Sequence, residues 1–328
     1  MLVLILSLFV AAGTEVTVVR ELHSEVLCPS GRSVKVVHHY GDLRISGSAS
    51  EKAKMDAIIR VTGRDKRSAT ELADKIDIGI VTRDETLFVV TSYPRHIQPC
   101  PVLSYEVDVR LVVPEGASLV AHNAFGGLMV SGVKGGCRLA NRFGDVGLDR
   151  CQNCDVVSRY GDVWVWANTG FLLVDNRFGN VFLDEVTDRV RVENRYGNVK
   201  GTGLDGIVHL DNRFGDVRTR HSRGSLTVAN HYGDISAWVE DSALTDLDVM
   251  SELGRVELNL ARMVPYQLGG RTVQGLIRST LPLQVDEQGC RVHGFSGHGG
   301  ARVHLSGTWT DFFIQSEPIE NADGNERR

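Results

Sequence analysis

Five arginines, Arg142, Arg159, Arg177, Arg195 and Arg213, each stand directly before an aromatic residue and a glycine in this 328-residue chain. The rings behind them are Phe143, Tyr160, Phe178, Tyr196 and Phe214; Ala124-Phe125 precedes the series and His231-Tyr232 follows it. A row of guanidinium groups can hold carboxylate, sulfate or phosphate through paired charged hydrogen bonds. A row of aromatic faces can carry the apolar faces of sugar rings, or it can be an internal ladder packed at a corner; the exchange of Phe for Tyr tolerates a hydroxyl without requiring one, which favours packing. Five like charges in file need partners. Asp145, Asp162, Asp216 and Asp234 follow three residues later, so the expectation is a surface ladder of Arg–Asp pairs. At Arg177 and Arg195 the residue three on is Asn180 or Asn198, and these two arginines are therefore the candidate site for an anion or acidic glycan.

The cysteines offer a second chemistry. Cys151-Gln-Asn-Cys154 has neither a second pair at zinc spacing nor a βαβ context, which argues against a zinc or redox motif. Cys137 and Cys154 occupy equivalent inward places one repeat apart, within disulfide range if the repeats stack; a disulfide and two packed thiols both fit. His293, His298 and His304 have no metal spacing, and no calcium nonapeptide, phosphate loop or nucleophile elbow occurs. No catalytic residue, metal ligand or cofactor is assigned.

These residues are positioned by a repeat. The tetrapeptide ending in the corner glycine begins at residues 123, 141, 158, 176, 194, 212 and 230, so successive copies are 18, 17, 18, 18, 18 and 18 residues apart. Its leading residue is Asn except at Ser158, and stacked amides can bond along a repeat axis. Each copy holds two short runs of apolar residues two apart, such as Val146/Leu148 and Cys154/Val156. Runs that short are strands, and the glycine between them supplies a corner with positive φ. The expected fold is all-β: a single-stranded parallel β-helix of about 18 residues per coil, right-handed, roughly 30 Å long over seven coils. A β-rich lead-in with one short helix, opened by a capping box at Ser68–Glu71, precedes it.

The expected organisation is a signal peptide over residues 1–13, a lead-in or cap over 14–120, regular repeats over 121–260, a terminal cap over 261–316 and a disordered tail over 317–328. The apolar run Leu2–Ala12 ends in small residues and is too short to span a bilayer, although no basic residue precedes it. Six cysteines suit an exported protein. With a net charge of −5 and no basic run, the chain lacks the electrostatic footprint of a nucleic-acid binder.

The apolar leader, the strand pairs around one helix, the run Val112-Val113-Pro114-Glu115-Gly116-Ala117-Ser118-Leu119 and the Gly-Asp-Val repeats together resemble the bacterial putative-adhesin family of β-helix cell-envelope proteins, many of them known only as a domain of unknown function. The resemblance spans about residues 30–315. It implies a β-helix at the envelope with no established catalytic residue, so none carries over. The Arg–aromatic corner departs from the family's plain small-residue corner, which separates any ligand of this chain from one shared with the family. The expected function is thus non-enzymatic: an exported adhesin-like binding or scaffolding surface, periplasmic, at the cell surface or secreted, with a glycan or envelope protein as partner. A carbohydrate-active β-helix enzyme is the alternative; it would need paired carboxylates, and the outward positions Gly147, Trp164, Phe182, Lys200, Arg218 and Ser236 carry none. A self-assembling filament protein is the third reading.

Overall fold

A computed structural model describes residues 7–12, 15–94, 102–240, 242–297 and 299–316. The chain divides into two compact units, Met1–Trp164 and Val165–Arg328.

In the first unit, the apolar run read as an export signal carries the strand Ser7–Ala12, antiparallel to Glu15–Leu27. That strand pairs antiparallel with Lys52–Gly63, from Val16 opposite Gly63 to Leu27 opposite Lys52. Lys52–Gly63 in turn runs antiparallel to Val102–Pro114. Alternation explains the burial: Ala53, Met55, Ala57, Ile59 and Val61 face inward, and the residues between them are more exposed. The helix Lys66–Lys75 starts earlier than its predicted capping box. Asp65 is the N-cap, its carboxylate accepting the Ser68 amide at 2.8 Å, and the helix buries Ala69, Leu72 and Ala73. Arg20 ties its end down by donating to the carbonyls of Ala73 and Ile76 at 3.0 and 2.9 Å. Asp77–Arg83 and Thr86–Ser92 form the expected antiparallel pair, turning through Asp84 and Glu85 at φ 44° and 63°.

The repeat begins in this unit as parallel ladders. Leu128 lies between Leu43 and Val146, and Leu139 between Ala121 and Val156. A corner at His39-Tyr40-Gly41 joins the stack directly beside Phe125, and strands that come between the two in sequence lie on its far side, Thr86–Ser92 against Ser33–Val37 and Val102–Pro114 against Leu43–Ser48. Each corner glycine is forced. A Cβ on Gly144, at φ +117°, would lie 2.3 Å from the carbonyl oxygen of Gly126.

In the second unit, Thr169–Phe178, Thr187–Tyr196, Asp205–Phe214 and Arg223–Tyr232 form one parallel ladder, and Val181–Asp184, Val199–Thr202, Val217–Arg220 and Ile235–Val239 another. The long strand Leu244–Leu260 continues both, setting Ser251 beside Asn230 and Val256 beside Ile235. Identical positions thereby meet: Val190 and Val208 stack inside, fully or almost fully buried. Toward the C-terminus the order becomes mixed: Ala301–Thr308 and Thr310–Gln315 stay parallel to Leu244–Leu260, while Tyr266–Val273 pairs antiparallel with Arg291–Ser296, which also runs antiparallel to Gln284–Val285.

These antiparallel ladders overturn the expectation of a single-stranded parallel β-helix. Among the described residues the chain is all-β with one short helix, but its sheet is of mixed orientation and is not a parallel solenoid. The physical reason lies in the lead-in and the C-terminal segment. They lack the 18-residue period, so nothing fixes a parallel circuit there: residues 28–51, 64–101 and 274–290 separate the antiparallel partners, whose strands of up to thirteen residues alternate equally well for either direction of pairing. The tail expected to be disordered lies outside the described residues.

Candidate functional site

In the first unit the rings of Tyr40, Phe125, Phe143 and Tyr160 lie in file, with centroids 5.3, 4.9 and 4.9 Å apart and planes within 4–9° of parallel. In the second unit Phe178, Tyr196, Phe214 and Tyr232 do the same at 4.8, 5.0 and 4.9 Å, within 3–7°. The spacing is that of hydrogen-bonded strands, so the backbone register dictates the stack. The internal packing favoured from sequence is found only in part: Phe143, Phe178 and Phe214 are half-buried, whereas Phe125, Tyr160, Tyr196 and Tyr232 are 41–44% exposed. Nor are these rings open platforms for sugar. Each interior ring has a neighbour on both faces, which leaves the edge, the positive part of the quadrupole, toward solvent. At the first unit's end Tyr40 meets Tyr93 and Tyr105 edge-on at 5.1 Å.

Beneath the rings runs a polar ladder. Asn123, Asn141, Asn176, Asn194, Asn212 and Asn230 are all buried. Asn141 donates to the carbonyls of Gly126 and Gly144 at 3.0 and 2.8 Å. In the second unit Asn176 donates to the Asn194 amide oxygen, and Asn194 to that of Asn212, each at 3.1 Å. The side-chain amides thus satisfy corner carbonyls where water is excluded, while the amide oxygens of Asn176 and Asn230 are buried without a hydrogen-bond donor.

The arginines lie beside the rings. Arg142, Arg177 and Arg213 hold Cζ 5.2, 5.4 and 5.6 Å from the centroids of Phe143, Phe178 and Phe214, within cation–π range. The Arg–Asp ladder expected from sequence does not form. Among the described residues no ion pair joins these arginines to Asp145, Asp216 or Asp234; these carboxylates cap backbone instead. Asp145 accepts the Asp162 amide at 2.8 Å, Asp216 the Asp234 amide at 3.0 Å and Asp234 the Arg255 amide at 2.9 Å. Asn180 and Asn198 accept the amides of Asn198 and Asp216 through their side-chain oxygens in the same way. The position requires an acceptor and not a charge, which is why Asp and Asn interchange there.

Arg195 lines an open cleft of about 450 Å³ together with Asp175, Glu193, Asp211, Arg213 and His231. Asp175, Glu193 and Asp211 stand in register on neighbouring strands, each two residues before an arginine and so on the same strand face. Glu193 also accepts from Arg191 at 2.7 Å, and His231 reaches Glu252 at 2.9 Å. This acidic column is the element that sequence reasoning missed. Its signal was present: an acid directly precedes the repeat's Asn in three consecutive copies. The surface is therefore striped, with an acidic row, an arginine row and a row of ring edges. Arg177 lies beside Phe178 and Arg195 lies in the cleft; each has an acid two residues before it on the strand.

No family model and no curated protein matches this chain. Solved structures similar to it include a putative cell adhesion protein from Clostridium sporogenes (9% identity, 90% of this chain and 100% of that one, TM-score 0.26). A putative adhesin from Bacteroides fragilis is 12% identical over 90% of this chain and 97% of its own, with a TM-score of 0.34. A putative lipid binding protein from Parabacteroides distasonis is 12% identical over 90% and 96%, with a TM-score of 0.36. Likeness at this level carries no argument about ligand or activity. No helix among the described residues is long and apolar enough to cross a membrane.

The paired cysteines are brought together as their spacing suggested. Cys137 and Cys154 are register partners, both buried, and both are free thiols, as are Cys28, Cys151 and Cys290; Cys100 lies outside the described residues. One buried histidine stands apart. His38 is 2% exposed with Nδ1 2.8 Å from Thr91 Oγ1, and burial pushes its pKa down to about 4.

Proposed function

We propose that the chain is an exported, non-enzymatic surface of the cell envelope that holds a carboxylate-bearing glycan along the striped face of its second unit. Arg177 and Arg195 supply the charged hydrogen bonds to the carboxylates. The observation that carries this reading is the exposed file of rings with guanidinium groups beside it: stacked rings turn positive edges outward, so edge and arginine favour the same anionic partner. The acidic column accepts hydrogen bonds from sugar hydroxyls and rejects partners that carry negative charge without spacing. Regular 4.8–5.0 Å steps suit an extended polymer better than a compact ligand.

A glycan array followed by titration with polygalacturonate tests it. The expected outcome is binding that weakens with salt and falls about tenfold or more in the Arg177→Ala/Arg195→Ala double variant, whose melting temperature stays unchanged. Binding of neutral glycans alone, or capture of an envelope protein unaffected by this variant, would contradict the assignment. A product assay on each hit completes the test, because release of shortened chains would show an enzyme.

A further inference from the structure

Three thiols meet inside the first unit, at the one repeat that is a residue short. Elsewhere two buried positions four residues apart follow the first strand of each repeat, as in Val133 and Cys137, Val186 and Val190, or Leu204 and Val208. In the short copy they are Cys151 and Cys154, three apart, and Asn153 adopts a left-handed φ of 52° between them. Register sets Cys154 beside Cys137 on the neighbouring parallel strand, and hydrogen bonds link Cys151 with both. All three are at most 4% exposed. The Cys151 sulfur also lies 3.6 and 3.5 Å from the carbonyls of Val130 and Asp149. Neighbouring strands hold Cα atoms about 4.8 Å apart, inside the span of roughly 4.4–6.8 Å that a disulfide bridges.

We propose that Cys137, Cys151 and Cys154 form a cross-linking site in which one disulfide closes as the chain folds and the third thiol exchanges with it. Before the cluster closes, the thiolate of one of the three attacks a sulfur of a small disulfide oxidant such as oxidised glutathione; that S–S bond breaks, one glutathione thiolate leaves and a mixed disulfide forms. A second thiol of the three then displaces the remaining glutathione. Two protein thiols have lost two protons and two electrons, and the oxidant has become two thiols. Because the folded cluster excludes solvent, oxidation belongs to the folding stage, and later exchange is internal.

The test is refolding of the reduced full chain in a glutathione redox buffer and, in parallel, in excess dithiothreitol. Each sample is then denatured in iodoacetamide without reductant and its peptides are mapped by mass spectrometry. The expected result in glutathione is one disulfide confined to the three cysteines, in more than one pairing, with one alkylated thiol left over. Each of Cys137→Ser, Cys151→Ser and Cys154→Ser should still form the remaining pair. The oxidised chain should melt roughly 5–10 °C above the reduced one. Alkylation of all three thiols in chain shown to be folded by circular dichroism, or bridges only to Cys28, Cys100 or Cys290, would overturn the site. A single unchanging Cys137–Cys154 pairing would overturn the exchange.

Discussion

At the scale of single residues, two positions make the physical account quantitative. His38 takes up a proton near pH 6.5 in the unfolded chain but only near 4 in the folded one, because burial disfavours the charged ring. Its contribution to stability is therefore complete above pH 6.5, is lost as pH falls toward 4, and changes no further below that. Urea unfolding between pH 7 and 4 should show a loss of roughly 3 kcal/mol that His38→Gln removes. At the corners, Gly215 has φ +121° and an added Cβ would lie 2.2 Å from the Gly197 carbonyl oxygen, whereas Gly269 has open space around it. Gly215→Ala should cost about 3 kcal/mol or more and Gly269→Ala no more than about 0.5 kcal/mol in the same assay. The corner glycines were legible in the sequence because their recurrence had one steric explanation. His38 was not, since nothing local to it announces burial under Thr91.

At the scale of elements, the ladders separate what a repeat reveals from what it conceals. Spacing alone placed Phe143 beside Tyr160 and Asn194 beside Asn212, since a parallel register turns sequence period into contact. It did not say which way the rings face. Alternation from the buried Asn would turn the aromatic inward, but the glycine that follows swings the chain through a corner and carries the ring edge to the surface. The neighbours of the arginines were misjudged for a related reason: three residues along a bent corner is not one strand face, whereas two residues along a straight strand is, and on that face stand Asp175, Glu193 and Asp211. The Asp and Asn of the corner act as acceptors for backbone amides. Asp216→Asn should leave unfolding free energy within about 0.5 kcal/mol of the parent, and Asp216→Ala should lower it by about 1 kcal/mol, because the Asp234 amide then loses its partner.

At the scale of the whole molecule, all-β character and the parallel repeats were legible, and the mixed orientation was not. Antiparallel union of Glu15–Leu27 with Lys52–Gly63 is a contact between distant segments, each of which alternates equally well for either direction of pairing. The N-terminal run is the clearest case of one stretch open to two readings: apolar and short, it was expected to be an export signal, and Ser7–Ala12 pairs as a strand along one side of Glu15–Leu27. Because the other side of that strand is held along its whole length by Lys52–Gly63, removal of residues 1–13 should leave the circular dichroism spectrum unchanged and the melting temperature within about 3 °C of the parent. The central claim is that each unit carries its file of rings on its surface with their edges outward. Nitration by tetranitromethane, mapped by peptide mass spectrometry, tests it most directly. The account predicts modification of Tyr160, Tyr196 and Tyr232, with Tyr266 and the buried hydroxyl of Tyr93 protected; protection of Tyr160, Tyr196 and Tyr232 in the free folded chain would contradict it.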